Sequence, residues 1–582
     1  MSKKHSLSLC MIVKNEASCL SRCLESMKLI TDEIIIVDTG STDQTLEIAK
    51  AYGAVIKTYE WNNNFAEARN FALSFATKEW ILVLDADEYL RDEDYELFMT
   101  LLDNQQIDSY YIKTLNFTEP NNKQSCMVNL NHRLFRNHKG FHYIGAIHEQ
   151  LTSNQSVTSK ISDLGFYHTG YLKEVVKAKN KPLRNSKILE EVLNQEPDNA
   201  FHKFNLANEM FQLEKYEEAV RLYDQAYKNT TPQQGYMPKL MVFRINALVA
   251  NHQDKEALVA ANEGISLYPK FTHLMFLKGT LEEKLGLITK AIRSYESCLE
   301  LGTPPPELEF SKASESLWPH FKLAVLYDTY GDYEKAIVHY NKYLQLNPSH
   351  YQLLYTIAPC LKKMGFNKEK LVEQLTKYIP PRNLNNQILL IDLLLKQGLF
   401  NEAKQYLDDI NVSESNSQIF YLRGKCQFYL ANYDECYQWF DKYVKSDKFD
   451  TVAPYYYLIY LLSNNHSYGL DSLVYPQEYL NLNSCLKNKV SIEVSQREIN
   501  LILRLMEEGL IIGEEVLVKE LEDVLKMNNS KLVNLQLAQL YCKYNHSTWA
   551  KDILEQYILN GGKVEIEMIN LLNLIKVNQW NE

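Results

Sequence analysis

A chain of 582 residues is too long for one ordinary hydrophobic core, and roughly two to four domains are expected. Its composition, 46% hydrophobic and 23% charged, is that of a soluble globular protein, and its net charge of -11 argues against a nucleic-acid binder. The ten cysteines form no CxxC pair or zinc-type cluster and read as reduced cytoplasmic thiols, the N-terminus is charged too early for a signal peptide, and no run approaches the roughly 20 apolar residues that cross a membrane.

Residues 7–13 read as a short apolar strand that ends in Lys14-Asn15-Glu16. A helix is expected over 17–27, with Leu20, Cys23, Leu24 and Met27 on one face. Residues 33–37 form a second, isoleucine-rich strand running into Asp38-Thr39-Gly40-Ser41-Thr42-Asp43. Gly40 permits a tight turn there, and Ser41, Thr42 or Asp43 can cap the next helix. That helix spans about 44–52 and stops at Gly53. A third strand covers 54–59, and a helix over 65–76 carries Arg69 and Asn70.

Then comes Trp80–Leu90, WILVLDADEYL. Its apolar run resembles a buried strand of a parallel sheet and ends abruptly in Asp85-Ala86-Asp87-Glu88. Three carboxylates within four residues repel one another unless a cation or partner offsets them. Divalent Mg or Mn prefers such oxygen ligands. The βαβα order predicts a parallel sheet covered by helices, with ligands bound outside the carboxyl ends of the strands. Asn15-Glu16, 38–43 and 85–87 all fall at such ends. There is no GxGxxG in the first turn and no GxxxxGK[ST].

The pieces SLCMIVKNEASCLSRCLES, EIIIVDTGSTDQT, FAEARNFAL and WILVLDADEYL occur in this order. Over about residues 5–170 the chain resembles a family 2 glycosyltransferase with the nucleotide-sugar-binding GT-A fold. The resemblance implies that Asp38 contacts the nucleotide base and that Asp85 and Asp87 hold a divalent metal, Mn or Mg, with the sugar nucleotide. It puts Arg69 near the donor, and Asn15 and Glu16 join the donor-binding set. The segments 131–136, NHRLFR, 141–149, FHYIGAIHE, and 166–171, FYHTGY, resemble later parts of the same enzymes. An inverting transfer needs a base for the acceptor proton. Glu149 is the candidate, with Glu88 or Asp87 as the alternative. His148 or His168 is the candidate to reach the metal or the diphosphate, and either could instead make a structural hydrogen bond. Cys126 needs no role.

From about Lys173 the pattern turns helical. Small residues recur twelve positions apart: Ala207 and Ala219, Gly279 and Ala291, Ala324 and Ala336, Gly424 and Cys436, Ala538 and Ala550. Small residues so placed let two helices approach closely. Ala257 to Ala291 is 34 residues, the length of a tetratricopeptide repeat, and the copy over 323–348 resembles that repeat closely. Copies around 398–403 and ending near Gly561 are degenerate, and breaks fall at 303–309 and 467–484. Roughly six to nine helical pairs are expected. The domain reading is 1–172 for the GT-A domain, 173–302 and 303–466 for repeats, and 467–582 for a C-terminal helical region. The 39 tyrosines against 22 phenylalanines suit a peptide-binding concave face, although many must be core. Scaffolding or homodimerisation is the alternative use of the array.

The preferred reading is a cytoplasmic, metal-dependent, inverting glycosyltransferase that moves a sugar from a UDP-type nucleotide sugar to a protein or peptide acceptor. It resembles enzymes that glycosylate flagellin or glycocin peptides, with Ser/Thr oxygen or Cys sulfur as acceptor. Transfer to a lipid-linked or envelope glycan is the second reading, and a repeat scaffold with an inactive transferase domain is the third. Neither a nucleic-acid partner nor a transmembrane segment is expected.

Overall fold

The isoleucine-, leucine- and valine-rich runs become the centre of a mixed eight-stranded sheet in this computed structural model. It describes residues 5–117, 126–168, 181–410, 417–430, 432–444, 495–513, 515–526, 531–544, 546–559, 568–569, 571–573 and 575. Strands β1 (Leu7–Val13), β2 (Glu33–Asp38), β3 (Val55–Thr58) and β4 (Trp80–Val83) lie parallel in the order β3-β2-β1-β4. All four residues of β4 are buried, as a strand covered on both faces requires.

Helices α1 (Leu20–Met27), α2 (Thr45–Ala51) and α3 (Phe65–Leu73) alternate with these strands. The buried residues of α1 are Leu20, Cys23, Leu24 and Met27, the stripe expected from the sequence. The helix starts later than Ala17, because residues 17–19 form a turn in which Cys19 N–H donates to Glu16 O. At α2 the boundary residue is Gln44, whose side chain makes no cap; Asp43 accepts the Thr45 N–H at 3.0 Å instead. The chain leaves α2 through Gly53 at φ +73°.

The second half of the sheet departs from the parallel pattern. After β5 (Glu88–Leu90) and α4 (Tyr95–Asp103) come β6 (Ser109–Phe117), β7 (Cys126–Arg136), β8 (Phe141–Ile144), β9 (Gln150–Ser153) and β10 (Ser159–His168). β7 runs antiparallel to β4 and β6, β6 parallel to β10, and β10 antiparallel to β5, while β8 and β9 form a separate hairpin. The register of β6 and β7 shifts at Tyr110/Tyr111: Leu134 faces Tyr110 and His132 faces Tyr111, so Arg133 is the extra residue of a bulge.

From Lys181 the described chain is almost wholly helical. α5 (Lys181–Gln195), α6 (Ala200–Gln212), α7 (Tyr216–Lys228) and α8 (Met237–Ala250) begin the array, and helices continue to Leu559. The small residues act as the spacing predicts. A Cβ on Gly279 would lie 2.7 Å from the Tyr295 ring, and one on Gly424 would lie 2.7 Å from the Phe440 ring. The large ring thus fills the space that the missing side chain leaves. Buried tyrosines at this position find a polar partner on the facing helix: Tyr223 hydroxyl to Asn208 at 2.6 Å, Tyr295 to Glu283 at 2.6 Å and Tyr340 to Asp328 at 3.2 Å. Where the ring is Phe440, no hydroxyl needs an acceptor, and Phe428 stands where two of these copies carry Glu283 and Asp328; the Tyr223 copy has Phe211 there and uses Asn208 instead. These tyrosines belong to the core.

The break at 303–309 is a return to the sheet. Val128 N–H donates to Phe310 O at 2.7 Å, Met127 and Ser311 form an antiparallel bridge, and the Lys113 ammonium bonds Glu309 at 2.9 Å and Asp163 at 2.8 Å. Two compact units result: one runs to Leu323 and includes Asn341–Pro348, and the other holds Ala324–Tyr340 and the described residues from Ser349 on. The expected boundaries at 172/173 and 466/467, the break at 467–484, residues 169–171 and the copy near Gly561 lie outside the described residues. Among the described residues no helix is long and apolar enough to cross a membrane, and the nine described cysteines are free.

Candidate active site

The turn after β4 gathers charge from four elements. It is tight: Glu88 N–H donates to Asp85 O at 3.1 Å, and Asp85 N–H donates to the Glu88 carboxylate at 2.9 Å. Arg69 of α3 donates from Nη2 to Asp85 Oδ1 at 2.9 Å and from Nε to Glu149 Oε1 at 2.5 Å. Arg133, placed by its bulge, reaches Asp85 Oδ2 at 3.3 Å and also bonds Glu88. Two guanidiniums are therefore interleaved with three carboxylates. Burial opposes ionisation of Asp85, but Arg69 and Arg133 hold it well below the usual carboxylate range. Burial pushes Glu88 upward against the pull of Arg133.

Helix α3 is laced to the segment that carries Glu149. Asn64 caps the helix by accepting the Glu67 N–H at 3.1 Å. Asn70 takes both backbone groups of Tyr143, donating to its O at 2.8 Å and accepting its N–H at 2.7 Å. Phe65 N–H donates to Ala146 O at 2.8 Å. The Tyr143 ring lies 5.6 Å from the Arg69 guanidinium, and burial pushes its hydroxyl up to about 12.

Asp87 and His168 form a second pair, with Oδ2 and Nε2 3.2 Å apart. The Asn116 side chain donates to Met127 O at 3.2 Å and Thr114 O at 3.4 Å, so its oxygen faces the imidazole. That oxygen lies 2.6 Å from His168 Nδ1, which must therefore carry the proton and leaves Nε2 toward Asp87. Burial alone would lower the His168 pKa, but Asp87, Glu88 and Asp85 raise it. The polar strip continues on the same sheet face. Thr114 donates to Glu88 at 3.3 Å, Asn131 donates to Thr114 at 2.9 Å, and Asn129 accepts from the Lys239 ammonium of α8 at 2.9 Å. Lys239 has no carboxylate partner among the described residues, and burial pushes its ammonium down to about 8.

Asn15, Glu16 and Asp38 meet around residues 39–45. The buried Asp38 carboxylate accepts the Gly40 N–H at 3.1 Å and the Ser41 N–H at 3.1 and 3.2 Å. Asn15, at φ +57°, accepts the Thr42 N–H at 2.7 Å, and Glu16 N–H donates to Thr45 at 2.8 Å. His148 lies elsewhere: its Nε2 is 3.6 Å from Glu209 Oε1 of α6. Among the described residues no group of three or more His, Cys, Asp or Glu side chains is gathered closely enough to hold a metal by itself. Arg133, Asn131 and Tyr143 lie in the segments 131–136 and 141–149, and Asn70 lies beside Arg69, but none was given a role from sequence; Thr114 and Asn116 fall in no such segment.

Residues 8–177 match glycosyl transferase family 2, residues 318–350 match the tetratricopeptide repeat, and residues 366–443 match anaphase-promoting complex, cyclosome, subunit 3. A TPR repeat-containing protein of Synechococcus elongatus is 30% identical over 263 residues, 44% of this chain and 64% of that protein. The SPbeta prophage-derived glycosyltransferase SunS of Bacillus subtilis is 30% identical over 238 residues, 40% of this chain and 56% of that protein. The chain thus spans less than two thirds of the length of these relatives. The crystal structure of S. aureus TarS aligns at 18% identity over 43% of this chain and 54% of that chain, with a TM-score of 0.25. The N-terminal part of the chain is a family 2 glycosyltransferase domain, fused to tetratricopeptide repeats.

Proposed function

We propose that this chain is a metal-dependent, inverting glycosyltransferase that moves a sugar from a UDP-type nucleotide sugar to a protein or peptide acceptor recruited by the repeats. The observation that carries the reading is the ionic cluster in which Arg69 joins Asp85 to Glu149, beside the Asp87–His168 pair. Arg69 and Arg133 keep Asp85 ionised, the form that accepts hydrogen bonds from sugar hydroxyls. Asn15, Glu16 and Asp38 stand at the carboxyl ends of β1 and β2, where a nucleotide is expected in such a sheet.

The donor set fits a hard divalent cation. Two neighbouring ligands on one Mg or Mn ion, each at ~2.1 Å, sit about 3 Å apart. Asp87 Oδ2 and His168 Nε2 are 3.2 Å apart and now paired with each other; a cation would take the place of the Nε2 proton, and Asn116 at Nδ1 would hold the ring for it. When bound, the cation offsets the charge of the departing nucleoside diphosphate. Glu149 gives Oε1 to Arg69 and keeps Oε2 for the acceptor proton. Inversion follows from direct attack on the sugar, with Glu149 as base.

The test is incubation of the full chain with candidate UDP-sugars and Mn or Mg, in its own cell extract, followed by mass spectrometry of captured proteins. A fixed mass increment on one captured protein is expected. Undiminished donor turnover in excess chelator would reject the metal, and sugar found only on glycans would reject the protein acceptor.

A further inference from the structure

The segment bearing Glu149 is held from outside the sheet. Gly145-Ala146-Ile147-His148-Glu149 contains two left-handed positions, Gly145 at φ +93° and His148 at φ +53°. The second is uncommon outside glycine, although histidine is one of the residues that tolerates it, and its surroundings hold it there. Here they do so with two opposed anchors. On one side Ile147 is 4% exposed and belongs to the apolar cluster of Ile188, Leu189, Phe204 and Met210 from α5 and α6. On the other side Glu149 bonds Arg69. His148, between them, faces Glu209 of α6 at 3.6 Å. Glu209 is itself 7% exposed and fixed by Asn185 of α5, whose amide donates to Oε1 at 3.0 Å. A third tie joins the same elements, because the Arg184 guanidinium of α5 lies 5.5 Å from the ring of Phe65, whose N–H bonds Ala146.

We propose that the first repeat helices, α5 and α6, are part of the active site: Ile147 and Glu209 are positioning residues that aim Glu149 at the reacting centre. The proposal rests on Glu149 being the base. The left-handed turn at His148 sends one neighbour into the repeat core and returns the other to Arg69 and Asp85. Loosening the repeat anchor frees Glu149 to swing while donor contacts at β1, β2 and β4 stay in place. The loss therefore falls on turnover rather than donor binding, since misplacing a catalytic group by about 1 Å costs up to roughly a hundredfold.

The experiment uses the full chain and slow hydrolysis of UDP-glucose or UDP-N-acetylglucosamine, whichever it turns over, with UDP affinity measured by calorimetry. Glu209→Ala should lower kcat about tenfold or more, with UDP affinity within about twofold. Glu209→Gln, which keeps an acceptor oxygen for Asn185 and His148, should recover most of the rate. Should Glu209→Ala melt early, His148→Gly preserves the left-handed backbone, removes the imidazole and should show the same kcat loss with an unchanged Mn requirement. A raised Mn requirement in that variant would make His148 a ligand and overturn the positioning role. Unchanged kcat in Glu209→Ala, with Glu149→Gln inactive, would overturn positioning and leave the base assignment standing. Full turnover in Glu149→Gln would remove both.

Discussion

Arg69 grips Glu149 through Nε at 2.5 Å. Its other arm holds Asp85 at 2.9 Å, so one guanidinium sets the spacing between the candidate base and the carboxylate proposed to bind the donor. A lysine offers a point charge and not a fork, so it cannot hold two carboxylates in this geometry. Arg69→Lys is expected to lower kcat for donor hydrolysis by about a hundredfold, and Arg69→Met is expected to destabilise the fold by about 3 kcal/mol by leaving buried carboxylate unpaired. Steady-state kinetics and denaturant melts check the two effects separately. Near-normal turnover in Arg69→Lys would mean that Glu149 needs no such aiming.

The proposed metal role of Asp87 and His168 makes a sharper prediction. Asn116 fixes the His168 ring without touching the position where a cation would sit. Asn116→Leu is expected to raise the Mn concentration for half-maximal activity by about 10- to 100-fold, and saturating Mn should restore the rate. Asp87→Ala should not be rescued by any Mn concentration. An unaltered Mn titration in Asn116→Leu would count against His168 as a ligand.

Lys239 should cost stability. Its ammonium is buried with a neutral partner, and its pKa falls from 10.5 to about 8. The folded value lies below the unfolded one, so the unfolded chain binds more protons between these values and this group's penalty fades as pH rises through the window. Lys239→Met is expected to be more stable than the natural chain by about 2 kcal/mol at pH 7. The gap should shrink steadily between pH 8 and 10.5. Equal stabilities at pH 7 would show that the ammonium is compensated.

The close helix approaches can be tested by reversing a usual rule. Gly→Ala inside a helix normally stabilises by about 1 kcal/mol. At Gly279 and Gly424 the added carbon would lie 2.7 Å from an aromatic ring. Both substitutions should instead destabilise by about 1–3 kcal/mol, as overpacking does. A rise in melting temperature at either site would mean that Tyr295 or Phe440 can move aside.

Much of the first half of the domain was legible because β1, β2 and β4 are dominated by apolar residues and short helices alternate with them. The α1 stripe matches residue for residue, and the polar clusters Asn15-Glu16, 38–43 and 85–87 do follow the carboxyl ends of β1, β2 and β4. The second half was not. β6 and β7, SYYIKTLNF and CMVNLNHRLFR, mix asparagine, lysine and histidine into the strand, so no clean periodicity announces them. Arg133 owes its contacts to a bulge, which periodicity cannot place, and Asn116 acts only through a strand pairing with β10. His148 faces Glu209, some sixty positions later in the sequence, a contact that no spacing announces. Only the folded repeat brings that carboxylate to it.

The stretch around Phe310 that closes the edge of β7 also imposes an order on synthesis. β10 ends at His168, but the covering residues Phe310 and Ser311 leave the ribosome much later. At about 5–20 residues per second the delay is on the order of 10–30 s. For that interval the nascent sheet presents an unpaired edge at Met127 and Val128, the kind of surface that recruits a neighbouring chain. A chaperone that shields nascent strands should bind this protein while α5 to α8 are being made and let go once Phe310 has emerged.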